Sequence, residues 1–304
     1  MTVLLPHIMM QLVDMPLVLH PGKVKAILIG LGGRLVEGGF RLEDDGIQVV
    51  DHWPAQRAGT LADNVGRAYD RAGQPPYTLV NNVAVIPIEG TLVHKGSYVG
   101  KSSGQTSYEG LQAQVARAGR DDRVKGIVFE VDSYGGLVSG VAQTCEMIRR
   151  VSEVKPTMSI LTDAAASAAY WLASQARQIV IPPDGNVGSI GALAVHTDLS
   201  RQADADGVTV TLIAAGKHKA DGNSLTPLPE DVRDRIQARV EAVRQNFAAA
   251  VGRARGKRFT ADAALATEGA TLDDVEALKI GMVDAIGYPN DAFAEFVAAV
   301  NRTR

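Results

Sequence analysis

The chain has 304 residues, of which 46% are hydrophobic and 21% charged, enough apolar material to bury a core of domain size and no composition for disorder. The formal net charge is −3, without the basic excess that follows a nucleic-acid backbone or an anionic membrane, so neither is an expected partner. One cysteine excludes an internal disulfide framework, and no cysteine and histidine cluster of metal-binding spacing is present; a reducing compartment and no metal or other cofactor are expected.

Residues 1 to 20 are apolar, but Pro6, His7, Asp14, Pro16 and His20 interrupt them and no basic leader precedes them, which makes a poor signal peptide and a worse membrane span. The stretch 24–36 is also too short to cross a bilayer, and a soluble protein is expected. A polar run at 43–57 and a helix near 61–71 precede the break at Pro75-Pro76. Residues 1–80 therefore read as an N-terminal extension, 81–290 as the main domain and 291–304 as a C-terminal tail.

Beyond the break, strand and helix alternate. Strands are expected at 83–88, 126–131, 157–161, 178–181, 192–196 and 208–214, and helices at 108–118, 138–151, 166–175 and 199–205. This order predicts an α/β fold with parallel strands and helical crossovers. Cys145 falls on the apolar stripe of the 138–151 helix and reads as a buried small hydrophobe. After Pro229, Val232, Ile236, Val240, Val243, Phe247 and Val251 form one stripe on a long helix, whose charged face suits solvent or a contact between copies.

Four short motifs could carry chemistry. Asp132-Ser133-Tyr134-Gly135-Gly136 ends the most apolar strand, and paired glycines at a strand-to-helix junction let backbone amides approach a ligand. Ser167 stands among alanines at a helix start, where alone it reads as an N-cap. Ser189 lies in Asn186-Val187-Gly188-Ser189-Ile190-Gly191, by itself a turn between glycines. Lys217 and Lys219 follow the 208–214 strand, whose end would hold them near the core; a lysine base must be neutral, and burial favours that form. Being two residues apart, they share a face of a continuing strand, and periodicity does not choose between them. Among the histidines, His196 and His218 are the nearest in sequence to these motifs, while His7, His20, His52 and His94 lie toward the N-terminus; none is an obvious partner for Ser167.

Taken in order and spacing, DSYGG, AAASAAYW, NVGSIG and GKHKADGN resemble the signal peptide peptidase A family of serine-lysine proteases. Leu5-Pro6-His7-Ile8, Pro16-Leu17-Val18-Leu19, Tyr108-Glu109-Gly110-Leu111 and Leu228-Pro229-Glu230-Asp231-Val232-Arg233 look like its branch of phage head maturation proteases of the lambda type. The resemblance is strong over about residues 80–290 and patchy before that. It implies the Clp protease and crotonase superfold, a superhelix of strand-strand-helix units. It implies Ser167 as nucleophile, Lys219 as general base, Ser189 as the residue that positions the lysine, and an oxyanion hole from Gly135 or Gly136 and Ala168. Tyr134 stands where the family commonly has proline, and Ala168 where it has glycine, which keeps the amide but narrows the pocket.

The resemblance further implies scaffold, portal or capsid proteins as substrates, the enzyme's own chain among them. It implies a place in the bacterial host cytoplasm or inside the phage prohead, and a scaffolding segment supplied by another chain, since this one ends at Arg304; a homo-oligomer is expected as well, in keeping with the long helix after Pro229. The alternatives are a soluble bacterial peptidase of the same family, a crotonase-type acyl-CoA enzyme, which needs no Ser167, Ser189 and Lys219 set, and an inert scaffold protein.

Overall fold

A computed structural model describes residues 17–19, 67, 70, 73, 75–95 and 104–302. Its elements are β1 (Leu17–Leu19), β2 (Thr78–Val80), β3 (Val83–Glu89), β4 (Thr91–Val93), β5 (Gln105–Ser107), α1 (Tyr108–Arg120), β6 (Gly126–Ser133), β7 (Gly135–Leu137), α2 (Val141–Val154), β8 (Thr157–Ala166), α3 (Ala168–Ala173), β9 (Gln178–Ile181) and β10 (Asn186–Gly188). There follow α4 (Ser200–Ala205), α5 (Glu230–Arg255), α6 (Ala261–Ala266), β11 (Thr271–Asp273), α7 (Asp274–Lys279), β12 (Ala285–Ile286) and α8 (Pro289–Arg302).

The large sheet runs β11-β10-β8-β6-β3-β2, with β9 pairing both β8 and β12 beside it; the small sheet runs β1-β7-β4-β5. Each turn of the chain visits both sheets. β3 lies in the large sheet, β4 and β5 in the small one, and α1 returns the chain to β6; β6, β7 and α2 repeat the sequence. This is the expected coil of strand-strand-helix units, with β3, β6 and β8 parallel at its centre.

The central strands are apolar throughout because both of their faces are covered. Ile86, Ile88, Ile127, Phe129 and Val131 pack into the main core with α1, α2, α3 and α5. Val83, Val128, Met158, Ile160 and Val180 face the other way, onto Ala292, Phe296 and Val300 of α8. Most of the segment expected as a tail is thus a helix whose apolar face closes the back of the large sheet.

Cys145 is buried on α2, as its stripe requires, and burial pushes its thiol well above the ordinary range. The stripe of α5 is buried at Val232, Phe247 and Val251 but only half-covered at Ile236, Val240 and Val243, so the middle of this helix is less covered than its ends.

Several expectations are corrected. The 192–196 strand reduces to an isolated bridge at Leu193, and 208–214 forms no ladder at all: Val208, Leu212 and Ile213 are exposed. The alternation of valine and threonine there reports a strand-like surface, but a strand also needs a neighbour with free backbone groups. The helix expected at 166–175 begins at Ala168 and ends at Ala173, and that expected at 138–151 begins only at Val141. The expected 61–71 helix lies mostly outside the described residues; Arg67 and Asp70, both helical, are the part of it that is described.

Candidate active site

β8 delivers Ser167 to a strained corner. Its backbone sits at φ 57° and ψ −124°, a region that costs a side-chain-bearing residue of order 1–3 kcal/mol and persists only where the surroundings impose it. They do so here through backbone bonds on both sides. The Ser167 amide donates to Gly188 O at 2.7 Å, and the Trp171 amide donates to Ser167 O at 3.0 Å. A serine on a sharp strand-to-helix turn is how several hydrolase folds present a nucleophile.

The N-cap role available to Ser167 is not taken: its side chain makes no capping bond to α3. The residue is 1% exposed, and its Oγ has no hydrogen-bond partner. A buried hydroxyl without a partner is uncommon, because it forfeits the bonds that water gave it.

Ser189 reaches the same corner from the next strand. β10 runs parallel to β8 with Gly188 opposite Ala166, so the serines that follow these two residues emerge side by side. Ser189 also has positive φ, 55°, is 6% exposed, and is fixed by donation from its amide to Ala270 O at 2.8 Å.

The paired glycines do not form a simple turn. They begin β7, held between β1 and β4, with Val18 opposite Gly136 on one edge and Leu92 opposite Gly136 on the other. Gly135 has φ 96°, and a Cβ built on it would stand 2.9 Å from Ser167 Cβ and 2.4 Å from Val18 O. At Gly136 a Cβ would fall 1.9 Å from Leu92 O. No side chain fits at either position.

Ser133, which the sequence offered only as part of a motif, is the brace of this strand. Its Oγ donates to Gly90 O at 2.6 Å and accepts from the Gly135 amide at 3.1 Å. Tyr108 supports the far end, donating from its hydroxyl to Leu137 O at 2.7 Å. The bond from Ser133 to Gly90 and that from Tyr108 to Leu137 each cross more than twenty residues and have no local signature; only the Ser133–Gly135 bond is local. The Ala168 amide opens α3, where an N–H has no partner within its own helix. The Gly135 amide, in contrast, is engaged by Ser133.

Tyr134 lies partly exposed beside the corner. Burial raises its phenol above the ordinary range, and Asp163 and Asp132 add to the effect.

The structure therefore brings together Ser167, Ser189, Gly135, Gly136 and Ala168. Lys219 is not bonded to Ser167. It lies in an exposed turn, its amide donating to Gly216 O at 3.1 Å, and it makes no hydrogen bond to Ser167 Oγ; Lys217 is exposed too. The turn has its own fastenings: His218 Nδ1 meets Asp221 Oδ2 at 2.9 Å, Arg235 of α5 pairs with Asp221, and Asn223 Nδ2 donates to Ala220 O at 2.7 Å. His196 contacts Asn223 O through Nε2 at 3.0 Å, and His94 Nδ1 lies 3.1 Å from Ser139 Oγ; neither is a partner of Ser167. His7, His20 and His52 lie outside the described residues.

Among the described residues, no helix is long and apolar enough to cross a membrane. No group of three or more histidine, cysteine or acidic residues there is arranged to hold a metal ion.

A family model described as "Peptidase family S49" matches residues 149–302, a span that holds Ser167, Ser189 and Lys219. The chain is 34% identical over 292 residues to the capsid assembly protease C of Escherichia phage lambda, covering 95% of this chain and 64% of that protein. It is 31% identical over 300 residues to the head-tail preconnector protein GP5 of Enterobacteria phage P21, covering 98% of this chain and 58% of that one. The chain thus spans about three fifths of the length of these relatives. Among solved structures, the 1510-N membrane protease specific for a stomatin homolog from Pyrococcus horikoshii superposes with a TM-score of 0.42 at 15% identity, over 70% of this chain and 77% of that one.

Proposed function

The chain belongs to peptidase family S49, and from that premise we propose that it is a serine endopeptidase whose nucleophile is Ser167 and whose general base is Lys219. The observation that carries the reading is the buried Ser167 Oγ, held on a strained backbone and bonded to nothing. Ser167 Oγ attacks the carbonyl carbon of a peptide bond while its proton passes to the uncharged Lys219 amine. The amides of Gly136 and Ala168 receive the developing oxyanion. The lysine returns the proton to the leaving amine, and water hydrolyses the acyl-enzyme to restore the serine. Ser189, beside Ser167, orients the amine.

For this chemistry the segment carrying Lys219 has to close onto the corner formed by Ser167 and Ser189. That segment includes Val208, Leu212 and Ile213, whose exposure suits burial against a second copy, and we read the working form as a homo-oligomer. Its substrates in this reading are scaffold, portal or capsid proteins of a phage head, and its place is the host cytoplasm or the assembling prohead. The names of the two phage relatives support this.

Co-expression of the chain with the neighbouring capsid and scaffold genes, followed by mass spectrometry of new termini, tests activity and substrate together. Cleavage by the wild type, lost in Ser167→Ala and in Lys219→Ala, is the expected result. Full cleavage by a folded Lys219→Ala chain would remove the lysine from the mechanism.

A further inference from the structure

β7 is the strand beside the nucleophile, and among the described residues both of its edges are taken. β4 holds one. The other is filled by the chain's own β1, antiparallel, with Leu17 opposite Leu137, Val18 opposite Gly136 and Leu19 opposite Gly135. The direction matters: β1 advances toward Gly135, the residue that touches Ser167, as an acyl-side peptide would have to advance toward a nucleophile. Val18 O and Ser167 Cβ lie 2.4 Å and 2.9 Å from the same point, the site of the missing Gly135 Cβ. Val18 is fully buried, as is Ser167 within 1%.

We propose that β1 is an internal occupant of the peptide-accepting edge of β7, and that an extended substrate reaches Ser167 only by displacing Leu17–Leu19 from it. The inference rests on the serine-protease reading above. A peptide added to a sheet edge is held mainly by backbone hydrogen bonds, which any extended sequence can supply, so substrate and β1 compete for one ladder. A strand of three residues makes a small ladder, short enough to be exchanged without disturbing β6 or β8 behind it. In the resting chain the site is closed, and its reactivity is scaled down by the fraction of molecules in which β1 has left.

The test uses the full-length chain and a fluorophosphonate that labels an active serine. Val18→Asp places a carboxylate where no water reaches and drives β1 off β7, whereas Val18→Thr keeps the shape and adds one hydroxyl. Labelling of Ser167 is expected to accelerate roughly tenfold or more in Val18→Asp and by a smaller factor in Val18→Thr. A synthetic peptide of residues 12–22 is expected to slow labelling of Val18→Asp in proportion to its concentration.

Equal labelling rates in wild type and in a Val18→Asp chain that still melts cooperatively would overturn the proposal, and should Val18→Asp fail to fold, equal rates in wild type and in a Val18→Thr chain with a lowered melting temperature would do so. Failure to label Ser167 in every chain, with partner cleavage unchanged in Ser167→Ala, is a different result: it overturns the serine-protease reading and takes this inference with it.

Discussion

A single hydroxyl on Ser133 ties the junction of β3 and β4 to β7, because it donates to Gly90 O and accepts from the Gly135 amide. Ser133→Ala leaves both backbone groups without that partner in a buried place, a loss of about 1–3 kcal/mol. Gly135 is also the residue against Ser167, so the consequence extends to the chemistry: kcat is expected to fall by a larger factor than KM rises, with thermal melting recorded on the same sample. Gly135→Ala is the harsher change. At φ 96° with Ser167 Cβ 2.9 Å from the new methyl, either the nucleophile or β1 must give way. Overpacking of this kind costs about 1–3 kcal/mol, and loss of measurable peptidase activity in a chain that still melts cooperatively is the expected outcome. The position of Ser167 was readable from its neighbours in sequence, but its strain was not. The strain arises from Gly188 O and Gly135, supplied by two other strands.

At the scale of elements, α3 is only six residues long and follows directly from the nucleophile, so its placement comes from what packs on it. Trp171 stacks on Phe247 of α5 with ring centroids 4.5 Å apart and planes 5° from parallel, and Tyr170 donates to Met282 O at 3.0 Å. Phe247→Ala removes one ring of that stack from a fully buried site and is expected to cost about 3–5 kcal/mol, measured by urea denaturation. Activity should fall in step as α3 loosens. The stripe of α5 was legible because it repeats over many turns with an unambiguous period. β7 and β10 were not, being three-residue strands rich in glycine, without enough residues for a period to show. The 208–214 stretch failed in the opposite sense, with a clear period and no neighbour to pair with. Lys219 shares that outcome: the family resemblance, not its spacing, singled it out from Lys217, and the element expected to carry both is absent from the sheets.

For the molecule as a whole, the coil of units could be read from the alternation of apolar strands and amphipathic helices, whereas its closing bolt could not. Arg255, buried at the end of α5, pairs bidentately with Asp284, at 2.8 Å from Nη1 and 3.0 Å from Nη2, and Arg258 adds a third contact at 2.9 Å. The same carboxylate accepts from the Ile179 amide at 2.8 Å, so α5, β9 and the approach to β12 meet on one side chain. Burial opposes ionisation of Asp284, but the bonds from Arg255, the Ile179 amide and the charge of Arg258 outweigh it and hold the carboxyl below its ordinary range. Asp121 is held low as well, chiefly by Arg123, against burial and with help from Tyr77.

A carboxyl depressed in the folded state contributes stability that is fully present above its unfolded pKa of about 3.9 and is lost as pH falls through the folded value. Calorimetry is therefore expected to give a melting temperature that is level near neutrality and drops once pH falls below about 4. Asp284→Asn leaves Arg255 buried without its counter-charge, which costs about 3 kcal/mol at neutral pH. Because that variant has already lost the titrating group, its acid drop should be shallower than the wild type's. A variant that melted lower at pH 7 yet kept the full wild-type slope below pH 4 would show that Asp284 is not among the carboxylates whose protonation unfolds the chain.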